Sequence, residues 1–311
     1  MRKTIATLIL LSFGSLSAQT VLSADGSDAQ QRVLRVWEQL NPKKLNLRSK
    51  GVLIADEFGN RLYAKQADKP RPIASLTKLM TAMVVLDSQQ SLDDKITITK
   101  ADRDLIKLTG SRLRFGATLT RGEILALALM SSDNRAAAAL ARTYTGGSEA
   151  FVKAMNTKAR ALHMYDSQFV DAAGLSPENV ASPADLARMI SAAARYPKIR
   201  EVTTQRMQDV RPYKRKGPLR YVNTNRLLRN KRWDIQVSKT GYINEAGRCL
   251  AMLVNIDNTD MVMVFLDSYG KLTPFGDANR TRKWLETGVR KRGELLAKAD
   301  TGSTNGTRVD Q

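Results

Sequence analysis

Three short stretches carry side chains suited to nucleophilic chemistry: Ser75-Leu76-Thr77-Lys78, Ser132-Asp133-Asn134 and Lys239-Thr240-Gly241. A serine hydroxyl attacks a carbonyl only when a base takes its proton. The chain has one histidine, His163, and no G-x-S-x-G elbow, so the base must be sought elsewhere. Lysine is the candidate. Lys78 follows Ser75 by three residues, which on a helix puts both on one face. S-x-x-K recurs at Ser268 to Lys271 and S-x-N at Ser303 to Asn305, so neither means much alone, whereas K-T-G occurs once. Taken singly, each residue reads as an ordinary surface Ser, Lys or Thr; the ordered set of three points to a site.

A lysine base must be neutral, so the pKa of Lys78 has to fall well below its ordinary value of ~10.4. Burial and a second ammonium both push that way, and Lys239 is the natural second cation. If Ser75 opens a helix, its amide lacks an intrahelical acceptor and can bind a developing oxyanion, with the Tyr242 amide as second donor. Ser132 is suited to relaying a proton to a leaving amine, and Asn134 offers an amide to a substrate peptide group. Lys239 and Thr240 can hold a carboxylate. Gly241 leaves room for a substrate to lie along the strand edge.

With 311 residues, 42% apolar and 26% charged, the chain can bury a substantial core. Arg2 and Lys3, the apolar run Ile5 to Phe13 and small residues up to Ala18 read as a secretory signal over 1–24. No other stretch approaches the ~18 apolar residues of a membrane span, so no stable membrane anchor is expected. The single cysteine, Cys249, sits in an apolar run and is expected in the core; it excludes an intramolecular disulfide. A formal charge of +20 raises nucleic acid as a partner. Residues Arg195 to Arg232 hold thirteen Lys or Arg against Glu201 and Asp209, with only Tyr196, Tyr213 and Tyr221 as aromatics among them. For an exported protein an anionic extracellular polymer fits better, and a merely solvated basic face fits as well. No nucleic acid is expected.

The elements that must position these residues follow from periodicity and turn chemistry. Val52 to Ala55 and Leu62 to Ala64 flank Gly59-Asn60, a β-hairpin. A helix from about Ser75 to Asp87 has Leu79, Met80, Met83, Val84 and Leu86 on its apolar face. Thr120-x-x-Glu123 is a capping box opening the next helix. Further helices are expected over Arg32 to Leu40, Arg135 to Tyr144, Glu149 to Leu162, Pro183 to Ala194 and Ala278 to Val289. Strands are expected over Ile235 to Ser238, Cys249 to Val254 and Met261 to Leu266. The outcome is an α/β (α+β) fold, a sheet packed on helices with a helical insertion. The domain plan is a signal over 1–24, a lead-in over 25–48, one domain over 49–290 and a polar, disordered tail over 291–311.

The chain resembles the low-molecular-mass penicillin-binding proteins, the serine-type D-alanyl-D-alanine peptidases, and among them the endopeptidases of the penicillin-binding protein seven type. The stretches that carry the likeness are Arg71 to Met83, Ala128 to Ala137, Phe169 to Leu186, Asn223 to Asn225 and Lys239 to Leu250. Together they span roughly Ser49 to Thr287. The resemblance implies a β-lactamase/transpeptidase-like fold, an antiparallel sheet flanked by helices with a mostly helical subdomain and the active serine between them. It implies acyl transfer on D-Ala peptides of peptidoglycan without cofactor or metal, and covalent capture of β-lactams. It assigns Ser75 as nucleophile, Lys78 as base, Ser132 and Asn134 to proton relay and substrate binding, and Lys239 and Thr240 to substrate binding. Periplasmic location follows from the signal, and contacts with other cell-wall enzymes stay open. Carboxypeptidase relatives typically add a β-rich domain and an anchor helix, whereas about twenty polar residues follow Val289 here. That favours a one-domain enzyme acting on cross-links. A DD-carboxypeptidase is the nearest alternative, followed by a cell-wall-binding module without catalysis. A class A β-lactamase needs a deacylating glutamate in an E-x-x-L-N setting, which Glu178-Asn179-Val180-Ala181-Ser182 does not provide.

Overall fold

The computed structural model describes residues 40–303, of which 289–303 by backbone alone. The expected signal, most of the lead-in with its Arg32 to Leu40 helix, and residues 304–311 lie outside the described residues.

A five-stranded antiparallel sheet runs in the order β2-β1-β5-β4-β3, with β1 at Gly51–Asp56, β2 at Arg61–Lys65, β3 at Asp234–Ile243, β4 at Gly247–Ile256 and β5 at Thr259–Ser268. The N-terminal hairpin therefore joins a strand that comes about 210 residues later, through Leu53 opposite Val264 and Ile54 opposite Met263. Alternation decides the two faces. Ala251, Val262 and Val264 point into the core shared with the helices. Ile54, Met252, Met263 and Phe265 point to the opposite face, where Leu40, Leu45, Leu47, Trp284 and Leu285 cover them.

Seven helices are present among the described residues: α1 Thr77–Asp87, α2 Arg121–Met130, α3 Asn134–Arg142, α4 Gly147–Ala161, α5 Pro183–Ala193, α6 Pro197–Thr204 and α7 Thr273–Ser303. α5 lies on the inner sheet face and α7 on the outer one. The capping box at α2 is present, with Thr120 Oγ1 accepting from the Glu123 amide and the Glu123 carboxylate accepting from the Thr120 amide. Ser182 caps α5 ahead of Pro183, which suits the first helical position.

Three expectations need correction. α1 does not have one apolar face: every residue from Thr77 to Val85 is buried, because the helix runs through the core between α4, α5 and the sheet-side turn. α7 does not run from Ala278 to Val289 but from Thr273 to Ser303, and the run Glu294 to Ala299 consists of good helix formers. α6 and the hairpin of Met207–Val210 with Leu219–Val222 were not anticipated.

Candidate active site

Ser75 sits in a 3-10 turn, Ala74–Leu76, that leads straight into α1. The turn is forced into shape from two sides. Ala74 has φ 49°, a left-handed conformation costing an L-residue about 1–2 kcal/mol. Thr77 Oγ1 donates to the Ala74 carbonyl at 2.8 Å. On the other side Gly174, with φ 74°, lies so close that a Cβ there would stand 1.9 Å from that same carbonyl oxygen. Gly241 is the second close approach: its Cβ would come 2.9 Å from the Ile73 oxygen and 3.1 Å from the Ser75 nitrogen. The space expected for substrate at Gly241 is thus taken by the serine turn itself, and glycine lets β3 reach it.

Lys78 is wholly buried one turn after Ser75. Its Nζ donates to Ser75 Oγ at 2.9 Å, to Asn134 Oδ1 at 2.7 Å and to the Ala173 carbonyl at 2.7 Å. Two of those acceptors, an amide oxygen and a backbone carbonyl, cannot donate in return. When Lys78 is neutral its two N–H bonds stay on them and its lone pair faces the Ser75 hydroxyl. Burial brings the Lys78 pKa down to about 7, against the pull of the Asp171, Asp133 and Asp104 carboxylates. Burial, then the charge of Lys78, pushes Lys239 well below the ordinary lysine value. The repulsion is mutual, so whichever ammonium keeps its proton lowers the other.

Lys239 comes from the inner face of β3, opposite Ala251, and its Nζ donates to Ser132 Oγ at 2.8 Å. Ser132 lies between α2 and α3 with φ 61°, a strained position of the kind found at functional sites. Asp133 then caps α3, accepting from the Ala136 amide at 2.9 Å and from Ser111 Oγ at 2.7 Å. Asn134, the first residue of α3, is oriented by a chain in which its Nδ2 donates to Thr109 Oγ1 and that hydroxyl donates to Asp104. Thr240 Oγ1 donates to Thr224 Oγ1 at 2.7 Å. Ser75, Ser132, Asn134, Thr240, Gly241 and Tyr242 line one cleft of about 530 Å³. Strand β3 is the edge of the sheet, so alternate backbone groups face outward from it.

All three motifs converge. The motif search assigned no role to Ala173, Thr109 or Thr224, although two of them fall in the Phe169 to Leu186 and Asn223 to Asn225 stretches. The loop that presents the Ala173 carbonyl is built around Asp171, whose carboxylate accepts from the amides of Ala173, Gly174, Leu175 and Ser176 and from Asn179 Nδ2. An Asp three residues before a Gly is the only trace of this in the sequence.

The residues set aside stay aside. His163 is exposed, bonded to the Tyr165 hydroxyl, and lines a different depression beside Arg188 and Arg195. Ser268 is buried against Ser49 at 2.6 Å, while Lys271 of the same S-x-x-K is exposed. Cys249 is buried, and burial pushes its thiol up to about 12, which leaves no reactive thiolate. Glu178 is exposed and outside the cleft lining. No group of three metal-ligating side chains occurs among the described residues.

The sequence matches the D-alanyl-D-alanine carboxypeptidase family over residues 38–270. It is 44% identical to a D-alanyl-D-alanine endopeptidase of Pseudomonas aeruginosa across 93% of this chain and 90% of that protein. It is 41% identical to a D-alanyl-D-alanine endopeptidase of Escherichia coli across 84% of each. In structure it is similar to a penicillin-binding protein of Listeria monocytogenes solved in an ampicillin-bound form, with a TM-score of 0.66 and 30% identity over 79% of this chain and 98% of that one.

Proposed function

The chain belongs to the D-alanyl-D-alanine carboxypeptidase family of serine peptidases, and on that premise we propose that it is a D-alanyl-D-alanine endopeptidase that cuts peptide cross-links of peptidoglycan. The observation that carries the catalytic part is the Lys78 hydrogen-bond set, which leaves only the Ser75 hydroxyl to face its lone pair. The choice of cross-links over free peptide ends rests on the two endopeptidase relatives.

Lys78 takes the Ser75 proton as Oγ attacks the D-Ala carbonyl carbon. The amides of Ser75 and Tyr242 hold the oxyanion. As the tetrahedral intermediate collapses, Ser132, bonded to Lys239, passes a proton to the departing amine. Asn134 holds the donor peptide, Gly241 keeps β3 against the serine turn, and Thr240 with Lys239 holds the carboxylate of the leaving residue. The proton that Lys78 took makes good the one Ser132 gave up, so Lys78 is neutral again; it then takes a proton from the water that attacks the Ser75 ester and passes it to Ser75 Oγ as the acyl group leaves. A β-lactam is captured by the same attack, and its tethered amine blocks the approach of water. We take 49–290 as the catalytic domain and the periplasm as the location; no helix among the described residues is long and apolar enough to cross a membrane.

Digestion of purified peptidoglycan tests the reading. Loss of cross-linked dimers is expected, together with covalent labelling by a fluorescent penicillin that disappears in a folded Ser75→Ala protein. Release of D-Ala from pentapeptides with dimers untouched would make the enzyme a carboxypeptidase instead.

A further inference from the structure

Arg226, Arg229, Arg248 and Lys271 line the same cleft as Ser75 and Thr240, and no carboxylate lines it. None of the four enters an ion pair among the described residues. Like charges gathered around one opening repel each other, a cost that a bound anion relieves. The place of Arg248 follows from the register of the sheet. Thr240 pairs with Leu250 and Tyr242 with Arg248, which puts Thr240, Tyr242 and Arg248 on the outer face, toward the start of α7. The cleft therefore passes over the edge of β3, from the inner face that holds Lys239 to an outer one lined by cations.

Arg248 is the one of the four seen stacked on an aromatic ring. Its guanidinium carbon lies 3.6 Å from the centre of the Tyr242 ring. The Tyr242 hydroxyl donates to Asn244 Oδ1 at 2.8 Å. Stacking holds the guanidinium flat and leaves its edges for a two-point bond to a carboxylate. Arg226 follows Thr224, the residue bonded to Thr240, by two positions, so it stands beyond the group assigned to the leaving residue's carboxylate.

We infer that Arg248 on its Tyr242 platform, with Arg226 and Arg229, forms a second anion subsite that binds the departing strand of a cross-link. This rests on the endopeptidase reading above. A cross-link ends on the side-chain amine of a diamino acid, so the departing piece keeps that residue's carboxylate and a whole stem peptide with further carboxylates. A free D-Ala leaving group has one carboxylate and nothing beyond it. The subsite thus supplies a physical basis for preferring cross-links that the three motifs do not contain.

The test compares purified cross-linked muropeptide dimers, native and with the acceptor-stem carboxylates amidated, in wild type, Arg248→Gln, Arg248→Lys and Arg226→Gln/Arg229→Gln proteins, with acylation by benzylpenicillin followed alongside. All three substitutions are at partly or fully exposed positions. In Arg248→Gln, KM for native dimer should rise about tenfold, the size of one lost charge-assisted hydrogen bond, with kcat little changed. The ratio of dimer cleavage to penicillin acylation should fall with it. Arg248→Lys should restore only part, since it keeps the charge and loses the fork. Amidated dimer should show the raised KM in wild type and no further rise in Arg248→Gln. Wild type that cleaves dimers while Arg248→Gln and the double variant keep its KM overturns the subsite alone. Wild type that leaves dimers intact overturns the endopeptidase reading and the subsite together.

Discussion

Raising the pH should switch acylation on across one narrow window. The Lys78 pKa falls from 10.5 to about 7. That shift means the fold favours the neutral amine by about 5 kcal/mol, at ~1.4 kcal/mol per pH unit. At pH 7 about half the molecules then hold a neutral Lys78, at pH 6 about a tenth, and an ordinary lysine would give only about three in ten thousand at pH 7. Stopped-flow acylation by a fluorescent penicillin, read as the second-order rate constant from pH 5.5 to 9.5, should climb nearly tenfold per unit below pH 7 and level off above pH 8. The observed midpoint belongs to Lys78 and Lys239 as a coupled pair. Because an ordinary histidine titrates near pH 6.5, the same series in His163→Ala is the decisive control, and its profile should overlay the wild type. A rate still rising tenfold per unit at pH 9, or a limb lost in folded His163→Ala, would refute the lysine-base reasoning. Stability should move with the same group. Between pH about 7 and 10.5 the unfolded chain keeps a proton on Lys78 that the native protein has shed, so stability rises with pH across that window. Denaturant melts of wild type against Lys78→Met from pH 6 to 10 should show a steeper rise in the wild type, since the depressed Lys239 contributes to both.

Gly174→Ala combines a left-handed φ with a Cβ 1.9 Å from a backbone oxygen, so it should cost about 3 kcal/mol or more and show as a sharp fall in Tm. Gly241→Ala, with its 2.9 Å contact at the serine turn, should cost less stability and slow acylation at least about tenfold, seen by time-resolved penicillin labelling. With Glu178 outside the cleft, the penicilloyl adduct should last minutes or longer by mass spectrometry; rapid turnover of benzylpenicillin with no dimer cleavage would identify a β-lactamase. Osmotic shock should release most of the protein without detergent, and a salt-resistant membrane pellet would contradict the periplasmic assignment.

That Ser75, both lysines and Asn134 gather at one place was legible because each lies inside a short motif whose spacing is local. The sheet strands were legible in kind, though shorter than they are, because apolar runs such as Met261 to Leu266 mark only the doubly buried middle of a strand. What escaped is what depends on distant partners. Periodicity located α1 but misjudged its polar side, since Thr81 and Lys78 are buried only because the carbonyls of Ala172 and Ala173 receive them. The Asp171 loop has no period at all, being held by side-chain to backbone bonds. Gly241 was noticed for the right absence and the wrong neighbour: which atoms fill the space of a missing Cβ is a tertiary fact. The cationic run Arg195 to Arg232 was visible as composition, and only the fold shows that Arg226 and Arg229 of that run reach the cleft, where the register of β3 and β4 adds Arg248.

The sheet order has a consequence for the enzyme's early life. Strand β1 is complete by Asp56, but its partner β5 ends at Ser268, and Lys239 lies 164 positions after Ser75. Closing so long a loop is slow relative to local helix formation. A chain emerging residue by residue, from a ribosome or an export pore, therefore carries an unarmed serine until about Ser268 is free to pair. The Lys78 amine meanwhile is in water and protonated, and no oxyanion site exists. A peptidase of this kind is in this way inert until its last sheet strand has paired.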